Sequence, residues 1–155
     1  MNTPDTASRA EALAFLKEHR TGVLATLSPQ GTPRARFLYY TCDDQFNIYF
    51  LTLANTRKVE DLRMSGEAAF VVAVEDVPQT VQMEGVVEDL SNRPTDDAVI
   101  NDIFDAIKSN AQYHAPLTRF DAAEVHFFRL KPRWVRWGNF TEGNHTTDVL
   151  HEIAP

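Results

Sequence analysis

Residues 21–40 read TGVLATLSPQGTPRARFLYY, and this stretch decides the fold. Residues 21–28 hold no charged side chain and are apolar on both alternating faces, as expected of a strand buried on two sides. Pro29-Gln30-Gly31-Thr32 is a turn, with Gly31 free to take a positive φ. Residues 34–41 are the partner strand. A second turn at Asp43-Asp44-Gln45 and a third strand over 46–51 (FNIYFL) extend this hairpin into an antiparallel meander.

Working outward, residues 8–19 predict a helix. Ser8 and Glu11 have the spacing of a capping box, and Ala12, Leu13, Phe15 and Leu16 give its apolar stripe. Asn55 or Thr56 can cap a short helix ending near 65–66, with Val59 and Leu62 as its buried side. Strands follow over 67–75 and 79–89, separated by a turn at 76–78, and Gly85 marks a bulge in the second. Ile100, Ile103, Phe104 and Ile107 recur at helical spacing behind Pro94, and residues 109–118 read as a loop. The last strands cover 123–131 and 134–140, broken at Pro132, and residues 141–155 form a polar, irregular tail. Seven modest strands joined mostly by short turns favour a closed or nearly closed antiparallel barrel over a sandwich. The expectation is one mainly β domain over residues 1–155, with flanking helices and a core over about 8–140.

Composition narrows the function classes. Apolar residues make up 43% of the 155, enough for a globular interior. No apolar run approaches the roughly 20 residues that span a bilayer, so no membrane partner is expected. The start, Met1-Asn2-Thr3-Pro4-Asp5, has no basic segment followed by an apolar one, and Cys42 is the only cysteine. With no internal disulfide available, a reducing cytoplasm is the expected compartment. A net charge of −7 argues against electrostatic capture of nucleic acid.

Three clusters can support chemistry. Thr52, Thr56, Arg57 and Lys58 sit where a strand hands over to a helix, whose first turn offers unpaired N–H groups and a positive dipole end. Cations and hydroxyls there suit a phosphate, since basic residues ordinarily favour the other helix end. The same residues also read as a solvated first turn. Arg34 and Arg36, two apart, share one face of a strand, either a second half of an anion pocket or an exposed strand face. If the two clusters meet, one anion touches Arg36, Arg57 and Lys58 together. Trp134 and Trp137, interleaved with Arg133 and Arg136, suit stacking on a planar group or simple core packing. The five histidines show no metal-ligand spacing, Cys42 has no evident activating partner, and no nucleophile elbow or phosphate-binding glycine motif occurs.

In segment order the chain resembles the pyridoxamine 5′-phosphate oxidase-like FMN-binding split barrels, including their general-stress-protein branch. TGVLATLSPQGTPRARFLYY is similar to the family's first hairpin, FLTLANTRKVEDL to its strand and Ser-Arg-Lys helix start, TVQMEGVVE to its strand with a glutamate-glycine step, and FFRLKPRWVRWGN to its last strand. The resemblance implies an antiparallel split β-barrel working as a homodimer, with FMN at the interface and a small-molecule redox substrate or electron donor as partner. It places Arg36, Thr56, Arg57 and Lys58 at the FMN phosphate. The backbone of Phe37, Leu38 and Tyr39 falls at the flavin ring, as do Leu51, Thr52 and Thr80. Trp137 approaches the ring from the second subunit. Two departures stand out: Thr41 replaces the oxidase's lysine, and NFTEGNHTTD follows Trp137 where the oxidase has an arginine-histidine-arginine segment. They speak against pyridoxamine phosphate as the substrate. The same fold with a deazaflavin or a haem, or a non-catalytic flavin-binding stress module, are the alternatives. No catalytic acid or base stands out.

Overall fold

Residues 21–39 form the expected hairpin. Strand β1 (Thr21–Leu27) pairs antiparallel with β2 (Pro33–Tyr39), with Thr21 opposite Tyr39 and Leu27 opposite Pro33. Gly31 holds the turn at φ 79°, and its N–H donates to the Ser28 carbonyl. The computed structural model describes residues 6–92, 98, 101, 105, 124–141 and 150–154. The remaining elements are α1 (Thr6–Glu18), β3 (Thr41–Cys42), β4 (Ile48–Leu53), α2 (Arg57–Met64), β5 (Glu67–Val74), β6 (Val77–Asp89), β7 (Val125–Asn139) and β8 (Leu150–Ile153). Of the helix expected behind Pro94, Ala98, Asn101 and Asp105 are helical, and the rest, with the 109–118 loop, lies outside the described residues.

The strands form one curled antiparallel sheet in the order β2-β1-β5-β6-β7-β4-β3, with β8 also on β7. This is a split β-barrel, mainly β with flanking helices. The meander expected over 21–51 is corrected: β4 pairs with β3 and β7, not with β2. The chain leaves β2 at Tyr40, which is buried and whose hydroxyl donates to the Leu16 carbonyl of α1 at 2.8 Å. β2 and β3 therefore end up at opposite ends of the hydrogen-bonded path. Curling brings β2 back into contact with β4 without pairing them. That unpaired seam is the split.

The interior is filled by the alternate residues Leu24, Phe50, Phe70, Met83, Phe128 and Val135, all buried. β1 itself is buried on one face only. Gly22, Leu24 and Thr26 are inside, whereas Val23 and Ala25 are half-exposed, so its second apolar face lacks a cover within the described chain.

Three further expectations change. α1 already runs from Thr6, so Ser8 lies inside the helix and the capping box does not form; Glu11 instead accepts a hydrogen bond from Trp137 Nε1 at 3.3 Å. Val125–Asn139 form one strand where two were expected. Pro132 sits opposite Gly85 where the β6–β7 register shifts, so its missing N–H coincides with a break already present in the ladder. A Cβ on Gly85 would stand 2.2 Å from the Lys131 carbonyl oxygen, which is why glycine is required there. The end of the tail is ordered, with Ile153 opposite Val135. No described helix is long and apolar enough to cross a membrane.

Candidate anion-binding site

Helix α2 packs against β1 and carries Lys58, Asp61 and Leu62 at positions i, i+3 and i+4, which share one helix face. Leu62 and Asp61 on that face are buried, and Lys58 is half-buried. Asp61 is fully buried because strand residues satisfy it. Arg34 Nη1 donates to Oδ1 at 2.7 Å, while Arg36 Nη2 and the Thr26 hydroxyl donate to Oδ2 at 2.8 and 3.0 Å. Arg36 Nη1 also donates to Thr26 Oγ1 at 2.8 Å. Burial alone would raise the Asp61 carboxyl, but the hydrogen bonds from Arg36 and Thr26 and the charges of Arg34 and Arg36 hold it below its ordinary value.

Beside this network lies the β4–α2 junction. Lys58 Nζ donates to Thr52 Oγ1 at 3.3 Å, and Thr56 Oγ1 is 3.3 Å from the same hydroxyl. Thr56 is the N-cap residue, yet its side chain makes no capping bond. The N–H groups of Val59 and Glu60 use the Thr56 carbonyl, which leaves those of Arg57 and Lys58 at the helix start with no backbone partner among the described residues. Burial, and then the nearby Arg36 charge, bring the Lys58 ammonium down to about 8. Arg57 is exposed, with no ion pair among the described residues. Two carboxylates, buried Asp61 and exposed Glu60 in the first turn, thus stand against the cations Arg34, Arg36, Arg57 and Lys58 near this helix start. Positive charge is in surplus, and the donor set fits a phosphate.

The remaining candidates divide by face. The side chain of Leu38 points inward and is buried, and Leu51 is also buried. Phe37 is 61% exposed on the outer face of the sheet, in a row with Val23, Val71, Gln82 and Arg136. Val23, Ala69, Val71, Gln82, Trp134 and Arg136 line a cavity of about 410 Å³ on this face. The Arg136 guanidinium lies 5.1 Å from the Trp134 ring centroid and donates to Gln82 at 2.7 Å. Thr80 lies on the same outer face of β6 as Gln82, its hydroxyl donating to the Val72 carbonyl at 3.2 Å. Trp137 is 1% exposed, with its ring 5.3 Å from Phe15, so it packs in the core of its own chain. From Phe127, opposite Leu51, to Trp137 is ten residues of β7, about 33 Å of extended strand. The Thr52–Lys58 cluster and the Thr80–Trp137 region therefore belong to different ends of β7. Burial pushes the Cys42 thiol up to about 11, so it is not activated. Among the described residues no three His, Cys, Asp or Glu side chains are arranged to hold a metal ion.

The sequence pattern of the pyridoxamine 5′-phosphate oxidase family matches residues 8–137. The chain belongs to that family. No curated protein matches it. Solved structures share its fold. A conserved hypothetical protein from Mycobacterium tuberculosis has TM-score 0.70 at 21% identity, covering 88% of each chain. A FAD-binding protein from Mesorhizobium loti has TM-score 0.66 at 21% identity, covering 81% of this chain and 90% of its own. A haem-binding protein from Mycobacterium smegmatis has TM-score 0.62 at 20% identity, covering 99% of this chain and 60% of its own.

In this member of the pyridoxamine 5′-phosphate oxidase family, the structure brings Thr52, Thr56 and Lys58 together, with Arg36 close enough to act on Lys58, and leaves Arg57 at the rim. Arg36, which the resemblance places at a phosphate, is engaged by Asp61. Asp61 and Thr26 were missed. The available signal was a carboxylate next to Leu62 on the inward stripe of α2, with two arginines on a nearby strand.

Proposed function

We propose that the chain binds one FMN per subunit of a homodimer and acts as an FMN-dependent oxidoreductase on a small-molecule redox substrate. One observation carries this reading: the uncapped start of α2, with Lys58 and Arg57 beside it and the neighbouring carboxylate already neutralised. Lys58, Arg57, Thr56 and the free N–H groups would hold the phosphate, and Arg36, fixed by Asp61 and Thr26, would add positive field behind them. β2 ends the hydrogen-bonded path, so its edge away from β1 has no strand partner among the described residues and would meet a ring lying in the seam toward Leu51 and Thr52. Bound FMN would supply hydride or single-electron transfer at its ring system. The chain's own part is to hold the phosphate, present backbone groups to the ring and shield one ring face from water.

The half-exposed outer face supports the second copy. It carries Phe37, Val23, Val71 and Trp134, an apolar sheet surface that a symmetric partner would cover. A flavin in the seam of one subunit would then lie where residues from both chains meet.

The test is an absorbance spectrum of the purified protein, followed by heat release and identification of any ligand. Flavin bands in the near-ultraviolet and blue, with FMN in the released fraction, are expected. An intense Soret band, a deazaflavin in that fraction, or cofactor-free protein that fails to take up added FMN would overturn the reading.

A further inference from the structure

We propose that Lys58, in protein free of cofactor, is a covalent attachment point for small phosphorylated aldehydes, which block the site by forming an imine there. The inference rests on the phosphate reading above and adds a reaction of the chain's own amine.

The argument starts from what Lys58 lacks. The nearest acidic group on its helix face, Asp61, is taken by Arg34, Arg36 and Thr26. Its hydrogen-bond partner is a neutral hydroxyl, Thr52 Oγ1 from β4, and the charged group acting on it is Arg36 from β2. A half-buried amine beside a second cation sheds its proton readily. Lys17 is the internal contrast: it is exposed, and its ion pair with Asp44 holds the ammonium above the ordinary 10.5. At pH 7.5 an amine titrating near 8 is about a quarter neutral, whereas one above 10.5 is below about 0.1% neutral. Arg36 acts on this amine, Thr56 bonds to its Thr52 partner and Arg57 precedes it at the helix start, so a phosphate on the aldehyde raises its local concentration where the nucleophile is.

The step balances without an outside oxidant or reductant. The Lys58 nitrogen lone pair adds to the carbonyl carbon, the nitrogen loses its protons, and the carbonyl oxygen leaves as water, giving a C=N bond. Reversal needs only water, so the block is lifted when a competing anion takes the phosphate place.

Cofactor-free protein is incubated with glyceraldehyde 3-phosphate and cyanoborohydride, and the trapped amine is located by peptide mass spectrometry. Lys58 is expected to label at least tenfold faster than Lys17, and at least tenfold faster with the phosphate ester than with glyceraldehyde. Saturating FMN is expected to suppress that labelling at Lys58 while leaving the slow labelling of Lys17 unchanged. Equal labelling of the two lysines, or equal rates for ester and parent aldehyde, would overturn the proposal. So would undiminished labelling in the presence of bound FMN. If the protein takes up no flavin, inorganic phosphate serves as the protecting anion, so the two readings fail separately.

Discussion

Asp61 and Lys58 stand one turn apart on α2, and their surroundings treat charge in opposite ways. At Asp61 the carboxylate is fully answered: two guanidiniums and a threonine hydroxyl donate to its oxygens at 2.7–3.0 Å. At Lys58 a hydroxyl is the ammonium's one hydrogen-bond partner among the described residues, and the helix start beside it carries no side-chain cap. A compensated cluster fixes structure, because removing a member strands the others. An uncompensated one is tolerated when a ligand completes it.

The largest expected effect breaks the compensated half. Asp61→Ala leaves Arg34 and Arg36 facing a buried space. It should lower unfolding free energy by about 3–5 kcal/mol, toward the low end because the arginines are about a quarter and a fifth exposed. Urea unfolding measures this; a change under about 1 kcal/mol would mean that the network is not structural. The reverse asymmetry is expected on the other half. Arg57→Ala with Lys58→Ala should weaken FMN binding by about 3 kcal/mol, most of it from Lys58 at roughly 1.5–3 kcal/mol and less from exposed Arg57. Stability should change far less than in Asp61→Ala. Flavin titration and urea unfolding on one preparation separate the two, and unchanged FMN affinity would remove the phosphate assignment.

The smallest effect is on pH dependence. Lys58 titrates near 8 in the cofactor-free protein, and a phosphate beside it would raise that value. Binding above pH 8 then takes up a proton. FMN affinity should hold below about pH 8 and fall above it by up to about tenfold per pH unit. Calorimetry at pH 9 in buffers of different ionisation enthalpy should register the proton uptake, and a flat profile across 7–9.5 would contradict it. Asp61 gives the opposite sign. Its lowered carboxyl value adds stability that is present above the ordinary carboxylate range and lost as pH falls through it.

The hairpin over 21–39, the bulge at Gly85 and the buried side of α2 were legible because each is local: turn residues, alternation and helical spacing are written in adjacent positions. The pairing of β4 with β7 was not. Residues 48–53 and 125–130 are joined by no local signal, and the strand order depends on which apolar faces close on each other. Pro132 misled because a proline reads as a strand break unless the ladder is already interrupted opposite it. Within the site, Thr52, Thr56 and Lys58 were readable from the strand-to-helix handover. The engagement of Arg36 was not, since it needs the rotation of α2 that aims Asp61 at β1 and β2.

One strand, β7, hydrogen-bonds to three others: β6 along most of its length, β4 at its start and β8 near its end. During synthesis the ribosome therefore releases β4 and β6 well before the segment that joins them. Until residue 139 has emerged, both present open edges that invite pairing with another nascent chain. Closure is a late, long-range event, and assembly of this barrel is governed by the arrival of its seventh strand.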